Sequence, residues 1–105
     1  MVDYSVEHSE DGTVYRLSGR LGHSDNVRFT SVLTDIADGP GRRIVVDLAN
    51  LEFMDSFGIG LMLIAADEAR RVGNHLNVCR PTGAVHRLFT WTGLRELLAD
   101  GAAAE

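Results

Sequence analysis

An aspartate and a serine lie side by side in an otherwise apolar and glycine-rich stretch of this chain, residues 53–60 with the sequence Phe-Met-Asp-Ser-Phe-Gly-Ile-Gly. A serine hydroxyl can accept a phosphoryl group, which adds roughly −1.5 to −2 charges at neutral pH. The stretch lies between a predicted strand and a predicted helix, so Ser56 falls at or just before the first helical turn. Unpaired N–H groups and the helix dipole favour an anion there. Phosphorylation at this site would therefore change the surface and leave the fold intact.

A simpler role for Ser56 is to cap the helix, since serine is among the residues preferred at helix N-termini. Gly58 and Gly60 follow it, and a glycine inside a helix costs about 1 kcal/mol relative to alanine. Two of them in the first turn suggest that something approaches the backbone closely. That neighbour is either a partner or another helix, or it is the sheet on which the helix packs. The residues alone leave these alternatives open.

Other catalytic chemistries lack the residues that they need. Ser56 does not stand in a Gly-x-Ser-x-Gly elbow, and no histidine is placed to act as its base. Four histidines are scattered along the chain, without the His-x-x-x-His spacing of a metal site: His8, His23, His75 and His86. We therefore expect a protein that is not an enzyme and that has no metal site and no cofactor.

Two further polar residues lie in predicted strands. Asp47 either hydrogen-bonds the backbone of the loop that follows it, or helps to position Asp55 or a metal used by a partner. Cys79 is the one cysteine, which excludes an intramolecular disulfide and fits a reducing compartment. We expect its side chain to be a small buried apolar group.

The charge balance limits the classes of partner. The 105 residues include 10 basic and 15 acidic side chains, a net charge of −5, so we expect no binding to nucleic acid or to an anionic membrane. The N-terminus lacks the features of a signal peptide, and the longest apolar stretch, residues 59–66, is far too short to be inserted across a membrane. We expect one cytoplasmic domain over residues 1–105, with a frayed tail at residues 101–105.

The first half of the chain is predicted to be a hairpin followed by a helix. Residues 4–7 and 13–17 read as strands, and Asp11 and Gly12 between them indicate a hairpin turn. Ser24 and Asp25 are placed to start a helix. Its apolar residues recur at spacings of three and four, at Phe29, Val32, Leu33, Ile36 and Ala37. Glycines and a proline at residues 39–41 end it.

A central strand and the most apolar helix follow. Residues 44–48 form a nearly continuous β-branched apolar run, which is typical of a strand covered on both faces. Residues 49–54 are predicted to be a connecting turn. The helix over residues 56–72 is apolar almost all round in its first half, which indicates that it begins in the core or at an interface. Gly73 is placed to end it.

The last third of the chain is predicted to hold a strand at residues 76–79 and two helices. The third helix has Val85, Leu88 and Phe89 on its core face. Gly93 ends it, and residues 94–98 form a short fourth helix. The order β-β-α-β-α-β-α-α indicates an α/β domain whose sheet is mixed and mostly parallel, with an N-terminal hairpin.

The stretch at residues 53–60 closely resembles the Asp-Ser-small-Gly-Leu-Gly signature of STAS domains, named for sulfate transporters and anti-sigma-factor antagonists. Four other segments are similar to that family in order and spacing, namely residues 14–19, 44–48, 81–89 and 92–94. The resemblance covers nearly the whole chain. It implies a single STAS-like α/β domain with about four helices.

The same resemblance implies a bacterial partner-switching antagonist that regulates transcription. The unphosphorylated protein would bind an anti-sigma factor that is also a serine kinase of the histidine-kinase-like ATPase type. Phosphorylation by that kinase would end the binding, and a PP2C-type serine phosphatase would restore it. Ser56 matches the phosphoacceptor of the family, and Asp55 matches the acidic residue before it.

The chain departs from the family pattern at two positions. The residue after the acceptor is usually small but here is Phe57, and Gly22 stands where the loop after the second strand commonly carries an acidic residue. The expected partner-binding surface comprises the loop after the second strand and the start of the second helix: Gly22, His23, Ser24, Asp25, Met54, Asp55, Ser56, Phe57, Gly58, Ile59, Gly60 and Met62. STAS-like modules also serve as non-switching accessory subunits or scaffolds of transport or signalling complexes, and this alternative stays open. A nucleotide-binding or nucleotide-hydrolysing module is a third alternative for the function.

Overall fold

The structure, a computed structural model, describes residues 2–10, 12–36 and 43–91. This part of the chain forms a four-stranded sheet whose strands lie in chain order: β1 (Val2–Ser9), β2 (Gly12–Leu21), β3 (Arg43–Met54) and β4 (His75–Cys79). β1 is antiparallel to β2, whereas β2 with β3 and β3 with β4 are parallel. The predicted mixed, mostly parallel sheet with an N-terminal hairpin is confirmed.

The described residues contain three helices: α1 (Asn26–Ile36), which follows a 3-10 turn at His23–Asp25, α2 (Ser56–Arg71) and α3 (Gly83–Trp91). The predicted break at residues 39–41, the fourth helix at residues 94–98 and the tail at residues 101–105 lie outside the described residues. None of the described helices is long and apolar enough to cross a membrane.

The hairpin is confirmed, but Gly12 lies in a strand rather than in the turn where it was predicted. Ser9 pairs with Gly12, which is the first residue of β2. Tyr15 and Leu17 face the core and are each 1% exposed. The Tyr15 hydroxyl donates a hydrogen bond to the carboxylate of Asp35 on α1. The hairpin is thereby joined to the first helix.

The end of β3 contradicts the prediction of a turn at residues 49–54, because the strand continues to Met54. From Asp47 to Met54 the strand advances seven positions while its partner β2, from Arg16 to Leu21, advances five. The two extra residues are accommodated as β-bulges, which interrupt the two-residue alternation of a strand. Without that alternation the segment has the sequence pattern of a turn.

One apolar core includes side chains from all four strands and all three described helices. The predicted core faces of the first and third helices are confirmed for these buried side chains: Phe29, Val32, Ile36, Val85 and Phe89. Leu33 and Leu88 are partly buried against the same core, and Ala37 lies outside the described residues. α2 ends at Arg71, one residue before its predicted end, and Gly73 follows as the predicted stop, with a φ of +79° and its amide donating to the Arg70 carbonyl at 3.0 Å. This left-handed residue is the usual way to satisfy the last carbonyls of a helix.

Asp47 serves the fold, which decides between the two roles considered for it. Its buried carboxylate accepts a hydrogen bond from the Ala49 amide at 3.0 Å and forms an ion pair with Arg80, the residue after β4. Burial raises the pKa of Asp47, but the hydrogen bonds from Arg80 and Ala49 outweigh it and hold that pKa below its ordinary value. Cys79 at the end of β4 is partly exposed rather than fully buried as predicted.

Candidate functional site

The cap of α2 is Asp55 rather than Ser56. Asp55 has an extended backbone, with φ −98° and ψ −172°, and its Oδ1 accepts a hydrogen bond from the Gly58 amide at 2.9 Å. The Asp55 carbonyl accepts the Ile59 amide at 3.0 Å. Ser56 is therefore the first helical residue, and its side chain is exposed. The alternative in which Ser56 caps the helix is wrong, because its neighbour performs that role.

Two adjacent strand ends position this helix. Leu21 and Met54 are the last residues of the parallel strands β2 and β3 and pair with each other. Beyond that pair, the Asp55 amide donates to the Leu21 carbonyl at 3.2 Å. The loop that follows β2 and the helix that follows β3 consequently leave the sheet side by side, at the edge where α/β proteins commonly place their binding sites.

Asp25 holds the loop after β2 in place. Its carboxylate is buried and accepts two backbone amides, that of Val2 at 2.8 Å and that of Gly22 at 2.9 Å. The Asp25 amide in turn donates to the Gly22 carbonyl at 3.0 Å. We predicted Asp25 as a partner-contacting residue, but in the structure its carboxylate points inward and fixes the loop.

Gly22 and Gly58 are needed where the loop, the cap and the strand end meet. A Cβ on Gly22 would lie 2.6 Å from Oδ2 of Asp55, and a Cβ on Gly58 would lie 2.6 Å from the Leu21 carbonyl oxygen. Both distances are far inside van der Waals contact. For Gly58 the alternative of tight packing within the domain is therefore confirmed.

Gly60 differs from Gly58 because, beyond its chain neighbours and the adjacent backbone of its own helix, no described atom lies within 4 Å of the Cβ that it lacks. Its neighbours along the helix surface are apolar and exposed: Phe57 is 55%, Leu63 44% and Ile64 49% exposed. We call these four residues, Phe57, Gly60, Leu63 and Ile64, the α2 patch. Exposed apolar groups that adjoin one another on a helix are typical of interaction surfaces.

Phe57 contacts the loop through His23. The two rings meet edge to face, with centroids 4.5 Å apart and planes inclined by 70°. A cavity of about 260 Å³ lies at this contact, lined by Ser56 and by these residues: Gly22, His23, Phe57, Gly60, Leu61 and Ile64. The loop, the predicted phosphoacceptor and part of the α2 patch thus share one concave surface.

A second cavity, of about 310 Å³, adjoins the first on the side of β2. The Arg20 guanidinium lies 4.3 Å from the centroid of the Phe53 ring, and both residues line this cavity together with His23 and Asp55. Sequence reasoning missed Arg20, because the second strand was predicted to end at residue 17, whereas β2 continues to Leu21 and pairs Arg20 with Phe53. It also missed Leu63 and Ile64, although the all-round apolar start of the helix was their signal.

The structure brings the predicted partner-binding residues together but gives them different roles. His23, Ser24, Ser56 and Phe57 are exposed, and Gly22, Asp55, Ile59 and Gly60 are half-buried. Four others are buried, namely Asp25, Met54, Gly58 and Met62, and support the site from within. Within residues 2–10, 12–36 and 43–91, no three His, Cys, Asp or Glu side chains are grouped so that they could hold a metal ion.

Comparison with known proteins identifies the family to which this chain belongs. A model of the STAS domain matches residues 3–102. The anti-sigma F factor antagonist of Paenibacillus polymyxa is 36% identical over 95 residues, which cover 89% of this chain and 80% of that protein. The match therefore includes the loop after β2, the helix start and the described part of the sheet.

Two solved structures of a related antagonist have the same fold. The anti-sigma factor antagonist SpoIIAA in its unphosphorylated form has a TM-score of 0.75 at 28% identity, over 92% of this chain and 86% of that one. The Bacillus cell fate determinant SpoIIAA in the phosphorylated form has a TM-score of 0.70 at 27% identity, over 92% and 89%. The chain belongs to the STAS domain family and is similar, within it, to the anti-sigma factor antagonists.

Proposed function

We propose that this protein is an anti-sigma factor antagonist that is switched by phosphorylation of Ser56. The observation that carries the proposal is the position of the Ser56 side chain, which is exposed beside the α2 patch while Asp55 caps the helix. The hydroxyl is thus accessible to a kinase, and its modification leaves the capping hydrogen bonds in place. A relative known in both unphosphorylated and phosphorylated forms supports the same assignment.

The partner-binding surface in this proposal is the α2 patch with His23 and Ser24 at its edge. Phe57 would be the central contact, because it is the most exposed large apolar side chain among the described residues. Large aromatic side chains commonly contribute most of the binding energy at the centre of an interface. The partner is an anti-sigma factor that is also a serine kinase of the histidine-kinase-like ATPase type, and the exchange takes place in the bacterial cytoplasm.

Phosphorylation would end the binding through charge and desolvation. The γ-phosphoryl group moves from ATP to Ser56 Oγ, ADP leaves, and the hydroxyl proton passes to a base on the kinase. The product carries roughly −1.5 to −2 charges at the edge of an apolar surface. Burying such a group without a counter-charge is strongly unfavourable. A PP2C-type phosphatase would restore binding by hydrolysis, which returns the hydroxyl and releases inorganic phosphate.

The test is to isolate the tagged protein from its native cell, identify bound proteins and map phosphorylated residues. We expect an anti-sigma factor with a kinase domain to co-purify, and phosphate to be found on Ser56. Ser56→Ala should abolish phosphate incorporation and retain the partner, whereas Ser56→Asp should lose the partner. Ser5→Ala is the matched control, because Ser5 is also exposed but lies on β1, outside the proposed partner-binding surface.

Equal labelling of the wild type and of Ser56→Ala by the cognate kinase would contradict the assignment of the phosphoacceptor. A permease or a transport ATPase as the stable partner, with no phosphate on Ser56, would instead support the non-switching accessory subunit. Turnover or binding of ATP or GTP by the purified protein would favour the nucleotide-binding alternative.

A further inference from the structure

The Ser56 side chain and the His23 imidazole line the same cavity. The other described residues that line it are glycine or apolar, at positions 22, 57, 60, 61 and 64. Its volume of about 260 Å³ exceeds that of several water molecules at roughly 30 Å³ each. A phosphoryl group on Ser56 therefore has room beside the His23 ring, and that ring can supply a cationic hydrogen-bond donor.

The position of His23 is well defined, although its side chain is exposed. Its backbone lies in the 3-10 turn that the buried Asp25 carboxylate fixes, and the preceding Gly22 packs against Asp55. The imidazole itself contacts the Phe57 ring edge to face, at 4.5 Å between centroids. Such a ring contact is weak compared with a charge-assisted hydrogen bond to a phosphate. The ring can therefore exchange one contact for the other by rotation of its side chain.

Among the described residues that line the Ser56 cavity, His23 is the one whose side chain can carry a positive charge. The Asp55 carboxylate faces the loop at Gly22, and the Asp25 carboxylate is engaged by the amides of Val2 and Gly22. The first turn of α2 carries no acidic residue. Arg20 lines the neighbouring cavity and lies over the Phe53 ring, but it does not line the cavity that contains Ser56.

We propose that His23 contacts the phosphoryl group of phosphorylated Ser56 and leaves the Phe57 ring to do so. This inference rests on the proposed phosphorylation of Ser56. Phosphorylation then changes the α2 patch in two ways, by adding charge beside it and by releasing its central aromatic ring from the loop.

The test uses phosphoserine incorporated at position 56 during synthesis of the full chain, so that no kinase is required. The pH midpoint of the phosphoserine ³¹P resonance is measured in the wild type, in His23→Gln and in His75→Gln. His75 is the control because it is exposed and lies on β4. We expect the midpoint to be higher in His23→Gln than in the wild type by about 0.7 pH unit, the effect of one unit charge at ~4 Å in water.

Two further measurements make the result specific. Nuclear Overhauser contacts between the rings of His23 and Phe57 should be present without phosphate and lost with it. The difference in midpoint should also shrink in concentrated salt, which screens exposed charges. The spectra of the unphosphorylated variants report whether each one is folded like the wild type.

The inference is overturned if the wild type and His23→Gln share one midpoint, or if the ring contacts persist in the phosphorylated protein. It is also overturned if Arg20→Gln raises the midpoint and His23→Gln does not, which would assign the contact to Arg20. These outcomes are independent of the proposed function, because that proposal fails only if cells do not phosphorylate Ser56 or no anti-sigma factor binds.

Discussion

Replacing Gly60 with alanine should stabilise the fold, which is an unusual expectation for a glycine within a sequence signature. The residue lies inside α2, and beyond the adjacent backbone of that helix no described atom would lie within 4 Å of its added Cβ. A glycine inside a helix costs about 1 kcal/mol relative to alanine. The free energy of unfolding should therefore rise by about 1 kcal/mol. For a domain of this size, the corresponding increase in Tm is about 5 °C.

Gly58→Ala is the matched control, two positions earlier in the same helix. Its Cβ would lie 2.5 Å from Cγ of Met54 and 2.6 Å from the Leu21 carbonyl oxygen. Because Leu21 is held in the sheet, its backbone cannot move away as a flexible side chain would. The overpacking cost of about 1–3 kcal/mol should exceed the gain in helix propensity. The two substitutions are chemically identical and should have opposite signs.

Urea unfolding and thermal melts of the wild type, Gly60→Ala and Gly58→Ala measure the change in stability that each substitution causes. The same Gly60→Ala protein, mixed with the anti-sigma factor, should bind at least tenfold more weakly, because the methyl group lies at the centre of the α2 patch. Greater stability with weaker binding would separate the role of this glycine in the complex from its role in the fold. A lower Tm for Gly60→Ala, or a higher one for Gly58→Ala, would refute the packing argument.

Four other substitutions test the supports of the site and of the fold. Asp25→Ala should lower the free energy of unfolding by about 1–3 kcal/mol in urea titrations, because the buried amide of Val2 and the partly buried amide of Gly22 would lose their acceptor. An unchanged value would contradict the role of Asp25 in fixing the loop. Asp55→Ala should lower the free energy of unfolding by about 1 kcal/mol through loss of the cap, whereas Ser56→Ala should leave it nearly unchanged. The reverse order would show that Ser56 caps the helix. Asp47 has a lowered pKa, so the stability that it gives with Arg80 is present above about pH 4 and is lost as the pH falls through its folded value. Asp47→Asn should therefore be less stable than the wild type by about 1 kcal/mol at pH 7, and it should lose less stability on acidification. If the free energy of unfolding changed with pH in parallel in the two proteins, the ion pair would contribute nothing.

The elements with regular periodicity could be predicted from the sequence. The three-and-four spacing from Phe29 to Ile36 gave the core face of α1, and Gly73 marked the end of α2. The end of β3 could not be predicted, because its bulges remove the alternation on which strand prediction depends. Bulges depend on pairing with β2, which is a property of the folded sheet and leaves no local signature.

The candidate site was predictable in its position but not in the roles of its residues. Asp55 and Ser56 are both good capping residues, and only the path of the chain out of β3 decides that the aspartate caps. The inward direction of Asp25 depends on the Val2 amide, which lies 23 positions away in the sequence. Gly58 and Gly60 look equivalent in the sequence, but one faces the strand end and the other faces outward.

The hydrogen bond from the Val2 amide to Asp25 joins the edge strand of the sheet to the loop that carries His23. Edge strands are often the first parts of a domain to open locally. When β1 detaches, Asp25 loses one of its two amide donors, and the loop loses part of its support while the rest of the sheet stays intact. The rate of amide hydrogen exchange at Gly22 should therefore rise and fall with the rate at Val2. A substitution that loosens β1 would also loosen the loop after β2.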